Sequence, residues 1–344
     1  MTSVVIVGSG PAGMSAAFFL SKHDIDVTVI ERLGESQYGR YHRICGGGIS
    51  MRAFRELGPM RPNGVLNNIS ATRIVWPNGT VVRMRTPGYI LDRPEFLSGL
   101  RKDCENAGVV FVKGSVTDVG FDGRYTVTTS SGDSFSSDWI IGADGCFSIV
   151  RKRLFGSVPV HMVAATECIV PGKRNRDLEI RLAADGSGTY TWSFPRGDDA
   201  GTGGMKGYDE DVCISKGSRF IPVGGVGRIV SERAMLIGDA AAMANPVSYG
   251  GLKTALISGK IASEAIMSNN PGRLQRWWDS SIMSDRRFMD FNRTLKGWSE
   301  KEMNDAVRPF RHGGIYLPGI WACITRPKNV NMYFGCLFAF RYGW

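Results

Sequence analysis

The stretch "VVIVGSGPAG", residues 4 to 13, constrains this chain more than any other. Its first five residues form a short apolar run of buried-strand type, and "MSAAFFLSKHD" after the glycines reads as a helix with Ala16, Ala17 and Leu20 on one face. A second strand, "DVTVIE", ends on Glu31, 18 residues beyond Gly13. Strand, Gly8-x-Gly10-x-x-Gly13 turn, helix and acid-tipped strand make a βαβ unit, whose parallel sheet must be covered on both faces. Each glycine has a separate job: Gly8 makes the tight turn, Gly10 admits a pyrophosphate, and Gly13 lets the helix pack closely. The helix N-terminus offers free N–H groups and partial positive charge to phosphate. Glu31 would accept hydrogen bonds from an adenosine ribose. A dinucleotide cofactor is therefore expected.

The rest of the composition narrows the class. No run of about 18 uncharged apolar residues occurs, so no membrane-spanning helix is expected. The N-terminus lacks the basic region of a signal peptide, which points to the cytoplasm. Seven cysteines with no CxxC pair read as free thiols rather than a disulfide framework. Four scattered histidines offer no zinc-type spacing, and no metal is expected. The formal charge is +10, and Pro271 to Lys328 holds 11 Lys/Arg against 6 Asp/Glu. Trp277, Trp278, Phe288, Phe291, Trp298 and Trp321 lie in the same segment. Basic and aromatic residues together suit an anionic membrane surface or a phosphate-bearing ligand. A solvated helical face over an aromatic core explains them equally well. Nucleic-acid motifs are absent.

Along the chain, "ATRIVWPNGTVVRM" places two β-rich runs around Asn78-Gly79, a hairpin signal. "RPEFLSGLRKDCENAG" (93–108) reads as a helix ending at Gly108. Residues 159 to 230 look antiparallel, with "MVAATECIV", "LEIRLA", "GTYTWSFP" and "DVCISKGS" as strands. "GLKTALISGKIASEAIM" is a helix, and the remainder is mixed helical to about 311. The last 30 residues, with their Gly and Pro breaks, receive no assignment. The expected fold is α/β, α+β overall: a Rossmann-like nucleotide domain (1–69, 89–158 and 228–270) interleaved with an antiparallel-sheet substrate domain (70–88 and 159–227). A short helical region, 271–344, follows.

Three further segments bear on which dinucleotide is bound. "DWIIGADGCFSIVRKRL" has a strand followed by Asp-Gly-x-x-Ser-x-x-Arg, "AMLIGDAAAMANP" carries Gly-Asp-Ala-Ala, and "YILDRPEF" has an arginine at a helix start. With the glycine motif they give four ordered signatures, and over about residues 1 to 265 the chain resembles the para-hydroxybenzoate hydroxylase superfamily of FAD proteins. The resemblance implies an FAD site built from Gly8, Gly10, Ala12, Gly13, Glu31, Arg32, Arg93, Val116, Asp144, Gly145 and Asp239. It also implies that Gly250, Gly251 and Leu252 bring backbone and a helix start to the isoalloxazine ring.

Two features narrow the family. "YHRICGGGIS" (41–50) runs Cys45 into three glycines, and "TYTWSFPRGD" holds a Tyr-x-Trp-x-Phe-Pro-basic-Gly motif. Both resemble the geranylgeranyl reductases, flavoenzymes that saturate isoprenoid double bonds. By that resemblance Cys45, Gly46 and Gly48 lie at the flavin, and Tyr190, Trp192, Phe194 and Pro195 at the substrate. Read from the residues alone, positions 190, 192 and 194 of a strand share one face, as either sheet packing or a cavity wall. Cys45 reads two ways: as a proton donor with a pKa lowered by Arg40 and Arg43, or as a small filler beside the ring. The family's long C-terminal region is short here, and Ser248-Tyr249 stands where a glycine-rich run is usual.

The expected activity is reduction of C=C bonds in a prenyl chain, with NAD(P)H or a ferredoxin-like protein as electron donor and peripheral contact with an anionic membrane. The alternatives are a flavin monooxygenase or halogenase acting on an aromatic or apolar molecule, and a non-catalytic flavoprotein binding a lipid or a redox partner.

Overall fold

In the computed structural model, which describes residues 1–156, 161–172, 176–185, 187–205, 212–312 and 314–344, Val4 to Val7 are buried on both faces of their strand. That is why the run lacks polar alternation. Thr2–Val7 lies inside a six-stranded sheet ordered Val230–Ser231, Ala234–Leu236, Trp139–Gly142, Thr2–Val7, Ile25–Glu31, Val110–Lys113. All pairs are parallel except the first. Helix Pro11–Leu20 packs on helix Leu252–Met267 closely enough for Ser15 Oγ to donate to the Leu256 carbonyl at 2.6 Å. A three-stranded meander, Val116–Asp122, Arg124–Thr129 and Ser134–Ser137, forms a small sheet of its own.

The second large sheet has eight strands, ordered Ser215–Val223, His161–Pro171, Asp199–Gly204, Tyr190–Arg196, Asp177–Leu182, Val65–Val75, Val81–Leu91, Gly48–Ser50. It is antiparallel as expected, save that Asp177–Leu182 runs parallel to Val65–Val75. The Asn78-Gly79 hairpin is present, with Gly79 at φ 81° and the Trp76 N–H donating to the Thr80 carbonyl. Its strands run through the domain limits drawn at 69/70 and 88/89, because Val65 to Ile69 pair with Gly88 to Leu91, which Gly48–Ser50 pairs in turn from the other side. The strand expected at "DVCISKGS" begins at Ser215, and residue 211 lies outside the described residues.

Two expectations are corrected. Cys168 and Cys213 form a disulfide, with Cα atoms 5.7 Å apart, rather than two free thiols. They stand 45 residues apart in sequence with no spacing signature. Pairing of Ile169 with Ser215 across adjacent strands is what brings them together. The unassigned last 30 residues contain two helices, Tyr316–Thr325 and Val330–Tyr342. With Arg286–Gly297 and Glu300–Val307 they close a second core, in which Phe288, Phe291, Met303, Val307 and Phe340 pack with Ile74, Ile180 and Leu182 of the large sheet. Phe288 and Phe291 are therefore core residues, Trp278 is buried in the core around the parallel sheet, and Trp321 is exposed. The basic-aromatic segment divides accordingly into an interior part and a surface part.

Candidate active site

A cavity of about 610 Å³ is lined from both large sheets. At one end Gly8 turns with φ 97°, a left-handed conformation that suits glycine, and Gly13 packs under the turn. A Cβ on Gly13 would stand 2.0 Å from the Gly8 carbonyl oxygen, so the close helix approach expected of this motif is present. Gly8, Gly10, Ala12, Glu31, Arg32, Arg93, Val116, Asp144, Gly145, Asp239, Gly250, Gly251 and Leu252 all line the cavity. Gly13 supports it from behind. The Glu31 carboxylate accepts from the Ser9 N–H and Oγ–H, both at 2.8 Å, and from the Leu33 N–H at 2.8 Å, which fixes its direction.

The chemistry of this end suits FAD. Asp144 takes the Ile149 and Val150 N–H groups on Oδ2 at 2.7 and 3.3 Å, while its buried Oδ1 has no partner among the described residues. Burial pushes the Asp144 carboxyl up. It also pushes Asp239 up to about 6, against the opposing pull of Arg93. Two carboxyls facing a pocket, one with a free acceptor, match the hydroxyl-rich ribose and ribityl parts of a flavin dinucleotide. The first turn of helix Pro11–Leu20 has no side-chain cap, which leaves its N–H groups for phosphate. Arg93 donates from Nε to the His42 carbonyl at 3.1 Å. Its charge acts on His42, Glu167, Asp239 and Arg219 alike, so one cation serves both ends of the cavity.

At the other end the glycines after Cys45 meet protein atoms. A Cβ on Gly46 would lie 2.5 Å from the Phe194 ring, and one on Gly47, which has φ 67°, 2.5 Å from the Leu91 carbonyl oxygen. Gly48 faces the Trp344 indole, whose ring would be 3.4 Å from its Cβ. Cys45, Gly46 and Gly48 do line the cavity, but part of the reason for three glycines is the tight passage between Phe194, Leu91 and Trp344. Cys45 Sγ accepts the Gly47 N–H at 3.4 Å, and its carbonyl accepts from Arg196 Nη1 at 3.2 Å. The guanidinium charges beside Cys45 come from Arg196 and Arg219; Arg40 and Arg43 are exposed, and Arg40 bonds back to the Ser36 carbonyl.

Tyr190, Trp192 and Phe194 share the cavity face, as strand alternation requires. The expected role of Pro195 at this wall is not met, because the same alternation turns it to the opposite face. The Tyr190 hydroxyl donates to the Ser248 carbonyl, and its ring lies 5.7 Å from Tyr249 and 6.3 Å from Phe340. Tyr249, at φ 50°, occupies a left-handed position, held by the Asn292 amide donating to its hydroxyl at 2.8 Å.

Several residues escaped the sequence reading. Glu167, buried in His161–Pro171, sits in register with Gly203, which is in turn paired with Trp192. Gly203 has no side chain, so the indole crosses above it: a Cβ there would meet the Trp192 ring at 2.3 Å. Trp192 Nε1 thereby donates to Glu167 Oε2 at 3.2 Å, and Oε1 has no partner among the described residues. Burial pushes the Glu167 carboxyl up to about 7, with Arg196, Trp192 and Arg93 pulling it down. One signal was available, a glutamate on the inward phase of the apolar run "MVAATECIV". His42 is buried between Tyr38 and Tyr41, at 4.3 and 5.0 Å, and burial with Arg93 and Arg219 lowers it to about 2, so it is neutral. Phe340 and Trp344 reach the cavity from the segment left unassigned.

A family model described as an FAD binding domain matches residues 1–82. The chain is 28% identical over 303 residues to digeranylgeranylglycerophospholipid reductase 2 of Methanosphaera stadtmanae, covering 76% of each chain. It is 29% identical over 305 residues to digeranylgeranylglycerophospholipid reductase 1 of Methanopyrus kandleri, covering 76% of this chain and 79% of that one. Among solved structures, a geranylgeranyl bacteriochlorophyll reductase-like protein of Thermoplasma acidophilum superposes with TM-score 0.76 at 20% identity, over 99% of this chain and 97% of the other. Sequence motifs, fold and cavity chemistry converge with these matches: the chain is an FAD-dependent oxidoreductase similar to the geranylgeranyl reductases.

Proposed function

We propose that this enzyme saturates C=C bonds of a prenyl chain of geranylgeranyl type. The observation that carries the reading is the continuity of the cavity, whose nucleotide end runs into a wall of Tyr190, Trp192, Phe194, Phe340 and Trp344. Such a wall excludes water from an alkyl chain and presents few polar atoms to it. Bound FAD, once reduced, supplies the hydride that an isolated alkene needs. The chain's own part is to hold the second hydrogen as a proton. Glu167 is suited to that: with its pKa near 7 a large share of the carboxyl is protonated at neutral pH, and Trp192 fixes Oε2 and leaves Oε1 unpartnered. Arg196 ties this wall to the Cys45 carbonyl and so orients the glycine segment.

The test is to reduce the flavin anaerobically and add a geranylgeranyl lipid. Reoxidation with a gain of one hydrogen pair per saturated bond is expected; reoxidation only by O2, with the lipid unchanged, would overturn the reading. Cys45 and Glu167 are the two candidates for the proton, and paired variants separate them. Cys45→Ala is expected to slow lipid-driven reoxidation less than about tenfold, against about 10²-fold or more for loss of a general acid. Trp192→Phe removes the donor that holds the Glu167 carboxyl down, so the alkaline limb of the reoxidation rate is expected to move to higher pH. An unmoved limb would disconnect the indole from the titrating group. As donor we propose NAD(P)H or a ferredoxin-like protein, distinguished by which of them reduces the bound flavin in rapid mixing. Peripheral contact with an anionic membrane at its cytoplasmic face completes the proposal.

A further inference from the structure

Helix Tyr316–Thr325 is apolar on the side that faces solvent. Tyr316, Leu317, Ile320, Trp321 and Ile324 are between 55% and 80% exposed, while Ala322 is its buried residue. At about 100° per residue the five fall within an arc of roughly 140°, and Ala322 lies on the opposite side. A contiguous exposed stripe of this kind marks a binding surface. The chain segment that carries the stripe is charged with one sign. No Asp or Glu occurs from Ala306 to Trp344, where Arg308, Arg311, Arg326, Lys328 and Arg341 stand. Two of these frame the stripe, Arg326 over the Trp321 ring at 5.7 Å and Arg341 donating to the Tyr316 hydroxyl.

We infer that this helix is the element that docks the enzyme on an anionic phospholipid bilayer, lying in the interface with its five apolar side chains among the acyl chains. The inference rests on the prenyl-lipid reading above, since it names the face through which such a substrate is reached. Charge complementarity selects the occupant. A second copy would set the same five cations against five more, and a cationic partner is excluded for the same reason. Basic residues beside Trp, Tyr and aliphatic side chains suit the headgroup boundary. Ten residues are too short to span a bilayer, and no described helix is long and apolar enough to do so. The docking face also adjoins the site: after the short turn Pro327–Asn329, helix Val330–Tyr342 and the residues behind it bring Phe340 and Trp344 into the cavity wall.

The experiment uses the full-length, flavin-loaded protein and vesicles of phosphatidylcholine, with or without phosphatidylglycerol. Wild type is expected to sediment with the phosphatidylglycerol vesicles and to bind pure phosphatidylcholine at least about tenfold more weakly, the preference fading with salt. Leu317→Glu/Ile324→Glu should lose vesicle binding about tenfold or more with unchanged flavin content and melting temperature. The same variant should reoxidise at the wild-type rate with detergent-dispersed prenyl lipid, and at least about tenfold more slowly with lipid embedded in vesicles. Vesicle binding that is absent in wild type or unaltered in the variant would overturn the inference. So would a wild-type dimer in sedimentation velocity that the variant abolishes, which would assign the face to a second copy. Failure of detergent-dispersed lipid to reoxidise the wild type would instead strike the functional reading and leave vesicle binding to stand or fall by itself.

Discussion

Glu167→Gln is expected to slow lipid-driven flavin reoxidation at pH 7 by about 10²-fold or more, the loss typical of a removed general acid. Flavin content should not change, because the carboxyl lies at the aromatic end of the cavity, bonded to Trp192. In wild type the rate should fall as pH rises through about 7, where Glu167 loses its proton, and the variant should lack that limb. Folding gives an independent readout. The folded-state pKa is raised from 4.5 to about 7, so between those values the native state holds a proton that the unfolded chain has released. This contribution to stability is fully present below about 4.5 and is lost as pH rises to about 7 and beyond. Thermal unfolding across that window should therefore be flatter in pH for Glu167→Gln than for wild type. A variant that keeps both the rate and the alkaline limb would remove Glu167 from the proton's path.

The second large effect concerns the nucleotide turn. In Gly13→Ala the new Cβ would stand 2.0 Å from the Gly8 carbonyl oxygen and 3.2 Å from Ala143 Cβ. The first of these is backbone and cannot rotate away, so the turn must open or the helix must lift off the sheet. Overpacking of this kind costs about 1–3 kcal/mol, enough to lower the melting temperature by several degrees. The protein should also purify with less than about a tenth of its flavin, since displacing the turn displaces the first-turn N–H groups that face phosphate. Gly10→Ala separates the two effects. A Cβ there approaches only the His42 ring, at 4.0 Å, so the melting temperature of the flavin-free protein should be unchanged while flavin affinity falls. Gly13→Ala protein that retained full flavin and wild-type stability would contradict the packing argument.

The nucleotide half of the molecule was legible from local sequence. The glycine turn, Glu31, Asp144 and Asp239 each sit at the end of a strand or the start of a helix, where local spacing dictates where the backbone points. Period-two alternation placed Tyr190, Trp192 and Phe194 on one face for the same reason, and applied one residue further it would have turned Pro195 away. Tertiary structure alone decided the rest. Glu167 lies two strands from Trp192, and a glycine between them lets the indole reach the carboxylate; no local pattern encodes that register. The Cys168–Cys213 bond likewise follows from strand pairing across 45 residues. The cysteine-glycine segment was legible as a close approach, yet Phe194, Leu91 and Trp344 come from three distant parts of the chain. The exposed stripe on Tyr316–Thr325 has ordinary apolar composition, the same as a buried helix would have. Only packing, which covers Ala322 and leaves Leu317 and Ile324 in solvent, gives it a surface to bind with.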